Sequence, residues 1–343
     1  MNQLRLNELL EQFPTRRILV VGDFFLDAYL TIDRQLSEVS LETGLEAYQV
    51  VDVRCSPGAA GTVTSNLRAL GIQTVALGAI GDDGNGYELK RGLVARGIDI
   101  EPLIVRTELH TPTYTKPMLQ EADGQEHEIQ RLDIKNRAPL PEDVQDDIIE
   151  RLRALAPHAH GVIVADQVPE PNHGVITDRV RAEIGRLALS HPDLIVAADS
   201  RARIGRFRHI VLKPNAQEAI RAVHPGWAGQ IDLELARESG ATLSRRSGRP
   251  VFLTLGDQGI LLFTHGDCTH IPAVRVSGKI DIVGAGDSCM AGLVSALCCG
   301  AAPEEAALIG NLVASITVKQ IGTTGTATPS QVRAQFQRLS QER

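Results

Sequence analysis

The residues best placed to do chemistry lie in one short segment, Asp281-Ile-Val-Gly-Ala-Gly-Asp287, which runs straight into Ser-Cys-Met-Ala-Gly-Leu-Val-Ser-Ala-Leu-Cys-Cys. The second stretch is almost wholly apolar and reads as a buried helix. Gly284, Ala285 and Gly286 carry little or no side chain, so their backbone N–H groups can approach a ligand closely. At a helix N-terminus such groups, with the helix dipole, attract an anion. Asp287 would then stand at the mouth of an anion site, where its charge opposes a resting phosphate. The arrangement makes chemical sense if Asp287 faces a hydroxyl that attacks phosphorus. The loop amides would stabilise the moving phosphoryl group, and Asp287 would orient the hydroxyl and take its proton. Taken alone, the turn is also compatible with an aspartate that caps a buried helix.

Other polar groups sit at comparable places. Asn215 and Glu218 follow a buried strand and have the spacing of a helix cap with a first-turn acid. Thr254, Gly256 and Gly259 follow another strand in a T-x-G-x-x-G pattern that a plain turn would also produce. Asn311 lies among Leu308, Ile309, Leu312 and Val313, in a helix opened by Pro303-Glu304-Glu305. Its amide needs a buried partner, either a ligand ring or the protein's own backbone. His158 and His160 flank no acid or cysteine and read as surface residues.

These groups must be positioned by a repeated local grammar. Ile18 to Asp23 is a continuous apolar run ending in Gly22-Asp23, a buried strand that delivers a loop at its C-terminal end. The pattern recurs at Val162–Asp166, Leu194–Asp199, Ile210–Lys213 and Val251–Thr254, with helix-length segments between most of them. Such alternation predicts an α/β fold with a central, mostly parallel sheet flanked by helices and ligands beyond the strand ends. Residues 1–15 read as a short amphipathic helix, 16–335 as one domain, and 336–343 as a tail. Two stretches, about 41–55 and 110–132, are more polar and partly alternating. They predict half-exposed strands forming a small β-sheet lid.

The composition bounds the class. The 343 residues are 43% hydrophobic but only 3% aromatic, so the core is built from Val, Leu, Ile and Ala, which suits buried parallel strands. A net charge of -7 spread along the chain argues against a nucleic-acid partner. Cys55, Cys268, Cys289, Cys298 and Cys299 are odd in number and form no C-x-x-C pair, so reduced thiols are expected. No signal peptide or membrane span is read, and the expected compartment is the cytoplasm. There is neither a G-x-G-x-x-G fingerprint nor a G-x-x-x-x-G-K-[ST] phosphate loop, which disfavours a dinucleotide oxidoreductase and a P-loop NTPase.

Several segments, in order, resemble the ribokinase-like (PfkB) carbohydrate kinase family. They are Gly22-Asp-Phe-Phe-Leu-Asp27, Pro57-Gly-Ala-Ala-Gly-Thr62 through Asn66, Gly78-Ala-Ile-Gly-Asp-Asp-Gly-Asn-Gly86, Leu212-Lys-Pro-Asn215 with Glu218, Thr254 to Gly259, the Gly284–Asp287 turn and Asn311. Within the family the likeness is greatest to the kinase half of bifunctional heptose-7-phosphate kinase/heptose-1-phosphate adenylyltransferases. The chain ends at Arg343 without a second half, so a kinase-only member is expected. The resemblance implies a ribokinase-like fold and ATP-dependent phosphorylation of a hydroxyl on a sugar or sugar phosphate. It implies Asp287 as base, Gly284–Gly286 as anion hole, and Asn215 and Glu218 as organisers of Mg²⁺ through water. Thr254, Gly256, Gly259 and Asn311 would contact nucleotide. Asp281 and the Val283 carbonyl would hold K⁺, and Asp27 would receive sugar hydroxyls. In the Gly58–Thr62 substrate loop this chain departs from the family: Ala59 stands for a usual Gly and Thr62 for a usual Asn. Thr cannot make the paired hydrogen bonds of an amide, so the acceptor pocket is altered and a nucleoside acceptor or a non-catalytic binding role stays open. Lys116 and Arg131, on the lid strands, would meet a second phosphate or remain solvated charges. The lid's need for cover and the family habit imply a homodimer through the lid, acting on a small-molecule substrate.

Overall fold

The structure is a computed structural model that describes residues 1–121, 125–264, 266–322 and 324–341. The chain opens with helix α1 (Gln3–Gln12), capped by the Asn2 side chain on the Arg5 N–H. Strand β1 (Arg17–Gly22) then runs into two long strands, β2 (Phe24–Val39) and β3 (Glu46–Ala59), and helix α2 (Ala60–Ala69). Next come β4 (Gln73–Leu77), β5 (Ala79–Gly81), α3 (Gly84–Ala95), β6 (Ile104–Arg106), β7 (Thr113–Gln120), β8 (Glu126–Glu128) and β9 (Leu132–Ile134). The remainder alternates: α4 (Glu142–Leu155), β10 (Gly161–Asp166), α5 (Asp178–Ser190), β11 (Ile195–Ser200), β12 (Val211–Leu212), α6 (Ala216–Val223), α7 (Leu233–Ser247) and β13 (Val251–Thr254). A hairpin of β14 (Ile260–Thr264) and β15 (Asp267–Ile271) precedes three helices, α8 (Ala285–Cys298), α9 (Pro303–Thr317) and α10 (Pro329–Gln341).

The main sheet has eight strands in the order β15-β14-β13-β12-β11-β10-β1-β4. Strands β4, β1, β10, β11, β12 and β13 are parallel, and β14 and β15 add an antiparallel edge. Alternate residues of one strand feed opposite cores, as period-two geometry requires. Ile18 and Val20 pack with α1, α2, α8, α9 and α10, whereas Leu19 and Val21 pack with α4, α5, α6 and α7. Because the strands point the same way, their C-terminal ends, with Asp23, Asp166, Asp199 and Lys213 at or just beyond them, share one rim of the sheet.

A second sheet, β3-β2-β7-β8 with β9 also on β7, stands over that rim. Strands β2 and β3 pair antiparallel from Phe24–Ala59 out to Val39–Glu46, and β7 pairs parallel to β2 from Leu26–Thr113. The lid is therefore present, but its longest strand, β2, lies outside the two stretches read from the sequence. That strand follows β1 across Asp23 and stays mostly buried as far as Ile32, its apolar residues interrupted by Asp27 and Thr31, so it did not stand out as a half-exposed lid strand. Helix α10 continues to Gln341 with Phe336 buried, where a tail from 336 was expected. Among the described residues no helix is long and apolar enough to cross a membrane.

Candidate active site

The Gly284 backbone, at φ 77°, turns the chain into α8. A side chain there would collide with Thr324, whose Cγ2 would lie 2.7 Å from the new Cβ, and crowd Thr62 at 3.2 Å. The glycine is thus required by conformation and by close packing of the α2 and α8 N-terminal turns. Asp287 sits in the first turn of α8. Its neighbour Ala285 donates its N–H to the Ile282 carbonyl at 3.1 Å, so that amide is not free for an anion. Among the described residues the N–H groups of Gly284, Gly286 and Asp287 have no hydrogen-bond acceptor, and they are the donors the turn can offer.

Around Asp287 the strand ends bring together three charged residues, Lys213, Asp199 and Arg201, which the sequence reading had not singled out. Lys213, at the end of β12, is buried and pairs with Asp199 of β11 at 2.7 Å. A Cβ built on Gly286 would lie 3.6 Å from Lys213 Nζ, so the ammonium borders the glycine turn. Burial pushes the Asp287 carboxyl up to about 7, and the Asp199 and Asp27 charges add to the rise while Lys213 and Arg201 oppose it. Its protonation thus changes near neutrality, where a general base is effective. Burial disfavours the Lys213 ammonium, but the charge and hydrogen bond of Asp199, with the charges of Cys289 and Glu218, together outweigh this and keep it protonated. Lys213, Asp199 and Arg201 each sit at or next to a strand end, the one local signal that could have found them.

Asn215 and Glu218 form a reciprocal capping box on α6. The Glu218 carboxylate accepts the Asn215 N–H and Asn215 Oδ1 accepts the Glu218 N–H, both at 2.8 Å. Glu218 is pushed up to about 7 by burial and by Asp199. Asp199, Glu218 and Asp287 thus crowd one region with negative charge, and Lys213 directly pairs only with Asp199. That oxygen-rich excess fits a hard divalent cation held largely through water. No group of three or more His, Cys, Asp or Glu among the described residues is arranged to bind a metal directly.

Thr254 joins this end through its N–H to the Pro214 carbonyl at 2.9 Å, and Gly256 and Gly259 take positive φ of 62° and 97° in the following turn. Asn311 is buried and donates its amide to the carbonyls of Ile271 at 3.3 Å and Pro272 at 3.0 Å, so its donors serve the protein's own backbone. Asp281 accepts the N–H groups of Val283 at 3.0 Å and Gly322 at 3.3 Å and has no cationic partner among the described residues.

On the lid side, Asp27 is buried where β2 meets Gly58 of β3. A Cβ at Gly58 would lie 2.5 Å from Asp27 Oδ2. Lys116, one strand over, places Nζ 3.1 Å from Asp27 Oδ1 and 3.1 Å from the Tyr29 hydroxyl. Burial lowers the Lys116 pKa, but Asp27 and Tyr29 together more than reverse this, so the residue is a paired rather than a solvated charge. Arg131 is exposed, lies 4.5 Å from the Tyr114 ring centroid, and is held by Asp133 through two hydrogen bonds of 2.8 and 2.9 Å. Ala59 adopts φ 53° and ψ -118°, a region that disfavours any residue with a Cβ. Thr62 is buried inside α2 with its hydroxyl 3.5 Å from the Pro57 carbonyl.

Comparison with known proteins agrees with this architecture. The family model described as pfkB family carbohydrate kinase matches residues 16–331. A bifunctional protein HldE of Trichlorobacter lovleyi is 29% identical over 337 residues, covering 97% of this chain. Another from Hyphomonas neptunium is 30% identical over 331 residues, covering 95%. The chain spans 65% and 64% of those relatives' lengths. Among solved structures, Arabidopsis thaliana ribokinase complexed with ribose and ATP superposes with a TM-score of 0.69 at 18% identity, covering 93% of this chain and 98% of that one. A ribokinase II-type protein from E. coli with ATP and Mg²⁺ gives 0.68 at 14%, covering 94% and 99%. At these identities the structures speak for the fold.

Proposed function

Since the chain belongs to the pfkB family of carbohydrate kinases, and is thereby a phosphotransferase with an alcohol acceptor, we propose that Asp287 is the base that deprotonates the acceptor hydroxyl. The observation that carries this is the Asp287 carboxyl itself, poised near 7 in the first turn of α8 beside Gly284 and Gly286. Ionised Asp287 accepts the hydroxyl proton as the oxygen bonds to phosphorus. The free amides of Gly284 and Gly286, with the Lys213 ammonium beside them, stabilise charge on the transferring group. Asn215 and Glu218 hold Mg²⁺ through water, and when bound that ion neutralises phosphate charge. Thr254, Gly256, Gly259 and Asn311 frame the nucleotide end, the backbone of Asn311's neighbourhood being fixed by its amide. Asp281 and the Val283 carbonyl are the candidate K⁺ ligands.

The acceptor we favour is a heptose 7-phosphate, phosphorylated at its anomeric hydroxyl in the cytoplasm, a reading supported by the HldE relatives. Asp27, Gly58 and Lys116 then form the sugar end. The strained Ala59 and buried Thr62 support a second reading, an altered acceptor such as a nucleoside, or ligand binding without transfer. An ADP-release assay with Mg²⁺, with and without K⁺, over free sugars, nucleosides and sugar phosphates separates them. Turnover on heptose 7-phosphate supports the first. Turnover only on another acceptor moves the substrate, and nucleotide binding without any transfer favours the binding role. Val39, Leu45, Val51 and Val53 are exposed on or beside edge strand β3, which supports a homodimer through the lid. A one-chain mass by light scattering would refute it.

A further inference from the structure

Arg201 follows β11 directly, in the middle of the rim. The order of strands divides that rim into two ends. Towards β12 and β13 lie Lys213, Glu218 and Thr254, the donor end of the proposed site. Towards β10 and β1 lie Asp23, the 167–175 loop and the lid, the acceptor end. Arg201 leans to the acceptor end: its N–H donates to the Asp166 carbonyl at 3.1 Å, and its Nε donates to Gln167 Oε1 at 2.8 Å.

Gln167 is itself held fast. Its N–H donates to buried Asp23 Oδ2 at 2.8 Å, and Asp23 also accepts from Val168 at 3.1 Å and Val175 at 2.7 Å. The Asp23–Gln167 anchor fixes one edge of the Arg201 guanidinium. Among the described residues the two Nη groups have no hydrogen-bond partner and no carboxylate lies within ion-pairing distance. Arg201 is exposed, and its charge reaches into the crevice, where it favours ionisation of Asp287, Glu218 and lid residue Tyr114 alike. The other crevice cations are engaged: Lys213 by Asp199, Lys116 by Asp27 and Arg131 by Asp133. An oriented guanidinium with a free fork matches two oxygens of a phosphate.

We propose that Arg201 is the specificity-determining residue that grips a phosphate monoester carried by the acceptor, so that the acceptor is a sugar phosphate and not its parent sugar. This rests on the sugar-kinase reading above and assigns to Arg201 the task that was one of two alternatives for Lys116 and Arg131, the other being solvated charges.

The test is calorimetric binding of sugar phosphates and their parent sugars to the wild-type protein, Arg201→Gln and Arg201→Lys, with acceptor and ATP KM measured in parallel. Wild-type protein should bind the phosphorylated form more tightly. Arg201→Gln should weaken that form roughly 10- to 100-fold, the range for a charge-assisted contact, while parent-sugar affinity and ATP KM stay put. Arg201→Lys keeps the charge without the fork and should fall between. Equal affinity for both forms in all three proteins overturns the proposal. So does a rise in ATP KM with unchanged acceptor binding, which would place Arg201 on the donor. Absence of turnover on every acceptor, with the affinity difference intact, strikes the kinase reading and still supports Arg201 as the phosphate grip.

Discussion

Lys213 Nζ and Asp199 Oδ2 lie 2.7 Å apart across the adjacent parallel strands β12 and β11, with Lys213 only 3% and Asp199 13% exposed. The pair keeps an ammonium beside the glycine turn of α8, and it also sets the balance of charge on Asp287, which Asp199 raises and Lys213 lowers. Lys213→Met therefore removes the nearer of the two cations that lower the Asp287 carboxyl, Arg201 being the other, and leaves Asp199 unpaired. The midpoint of the acid limb in the pH–kcat profile should move above its wild-type position. Stability should fall by about 3–5 kcal/mol, as for other broken buried pairs. The double variant Lys213→Met/Asp199→Asn should recover much of that loss in a urea melt. A Lys213→Met profile with an unmoved midpoint would remove Lys213 from the control of Asp287.

Asp287→Asn keeps the shape of the side chain and removes its capacity to accept the proton. Turnover should drop about 10²–10⁴-fold, while nucleotide affinity by calorimetry stays within twofold. In the parent, kcat should decline as pH falls through about 7, because the carboxyl is then protonated and cannot act as base. The stability sign is the reverse of an ordinary carboxylate. Its folded value of about 7 lies above its ordinary 3.8, so the native state binds more protons in that window and loses stability as pH rises across it. Subtracting the melting curve of Asp287→Asn from that of the parent isolates this slope from those of Asp23 and Glu218, which are also raised. Asp287→Asn should be the more thermostable protein above neutrality. Equal melting temperatures at every pH would contradict the raised carboxyl assigned to half-buried Asp287.

Gly58→Ala tests the acceptor end. The new Cβ would fall 2.5 Å from Asp27 Oδ2, so the carboxylate that pairs with Lys116 through its other oxygen has to shift. The cost in stability should be about 1–3 kcal/mol, as for other overpacked buried sites. Acceptor KM should rise steeply while ATP KM holds. Parallel increases in both constants would mean that the substitution damages the whole site and that Asp27 has no separate role in holding the acceptor.

Most of the fold was legible because buried parallel strands leave continuous apolar runs, and those at Ile18, Val162, Leu194 and Val251 became β1, β10, β11 and β13. The glycine turn that opens α8 was legible because Gly284 serves the backbone, which the sequence states directly. What stayed hidden depended on pairs formed across strands. Asp199 and Arg201 stand together at the end of β11, and Lys213 joins them only when β11 and β12 pair in register. The Lys116–Asp27 contact likewise needs the parallel pairing of β2 with β7, which brings Tyr29 opposite Lys116. Asn311 shows the opposite limit: a buried amide was foreseen, but its partners, two carbonyls at the end of β15, lie 39 and 40 residues away.

Ala59 offers the simplest test of the altered loop. At φ 53° and ψ -118° its methyl carries a conformational cost of about 1–3 kcal/mol, held in place because β3 must turn abruptly into α2. The pairing of Phe24 with Ala59 and the N–H of Ala60 on the Asp23 carbonyl at 3.0 Å leave the backbone no other path. Ala59→Gly should relieve that strain against a smaller entropic loss in the unfolded chain, for a net gain of about 1 kcal/mol measurable by urea denaturation. If the methyl also narrows the acceptor pocket, the glycine variant should accept parent substrates less selectively, with kcat little changed. A variant that is less stable than the parent would show that Ala59 is not strained, and the loop's departure from its family would then need a different cause.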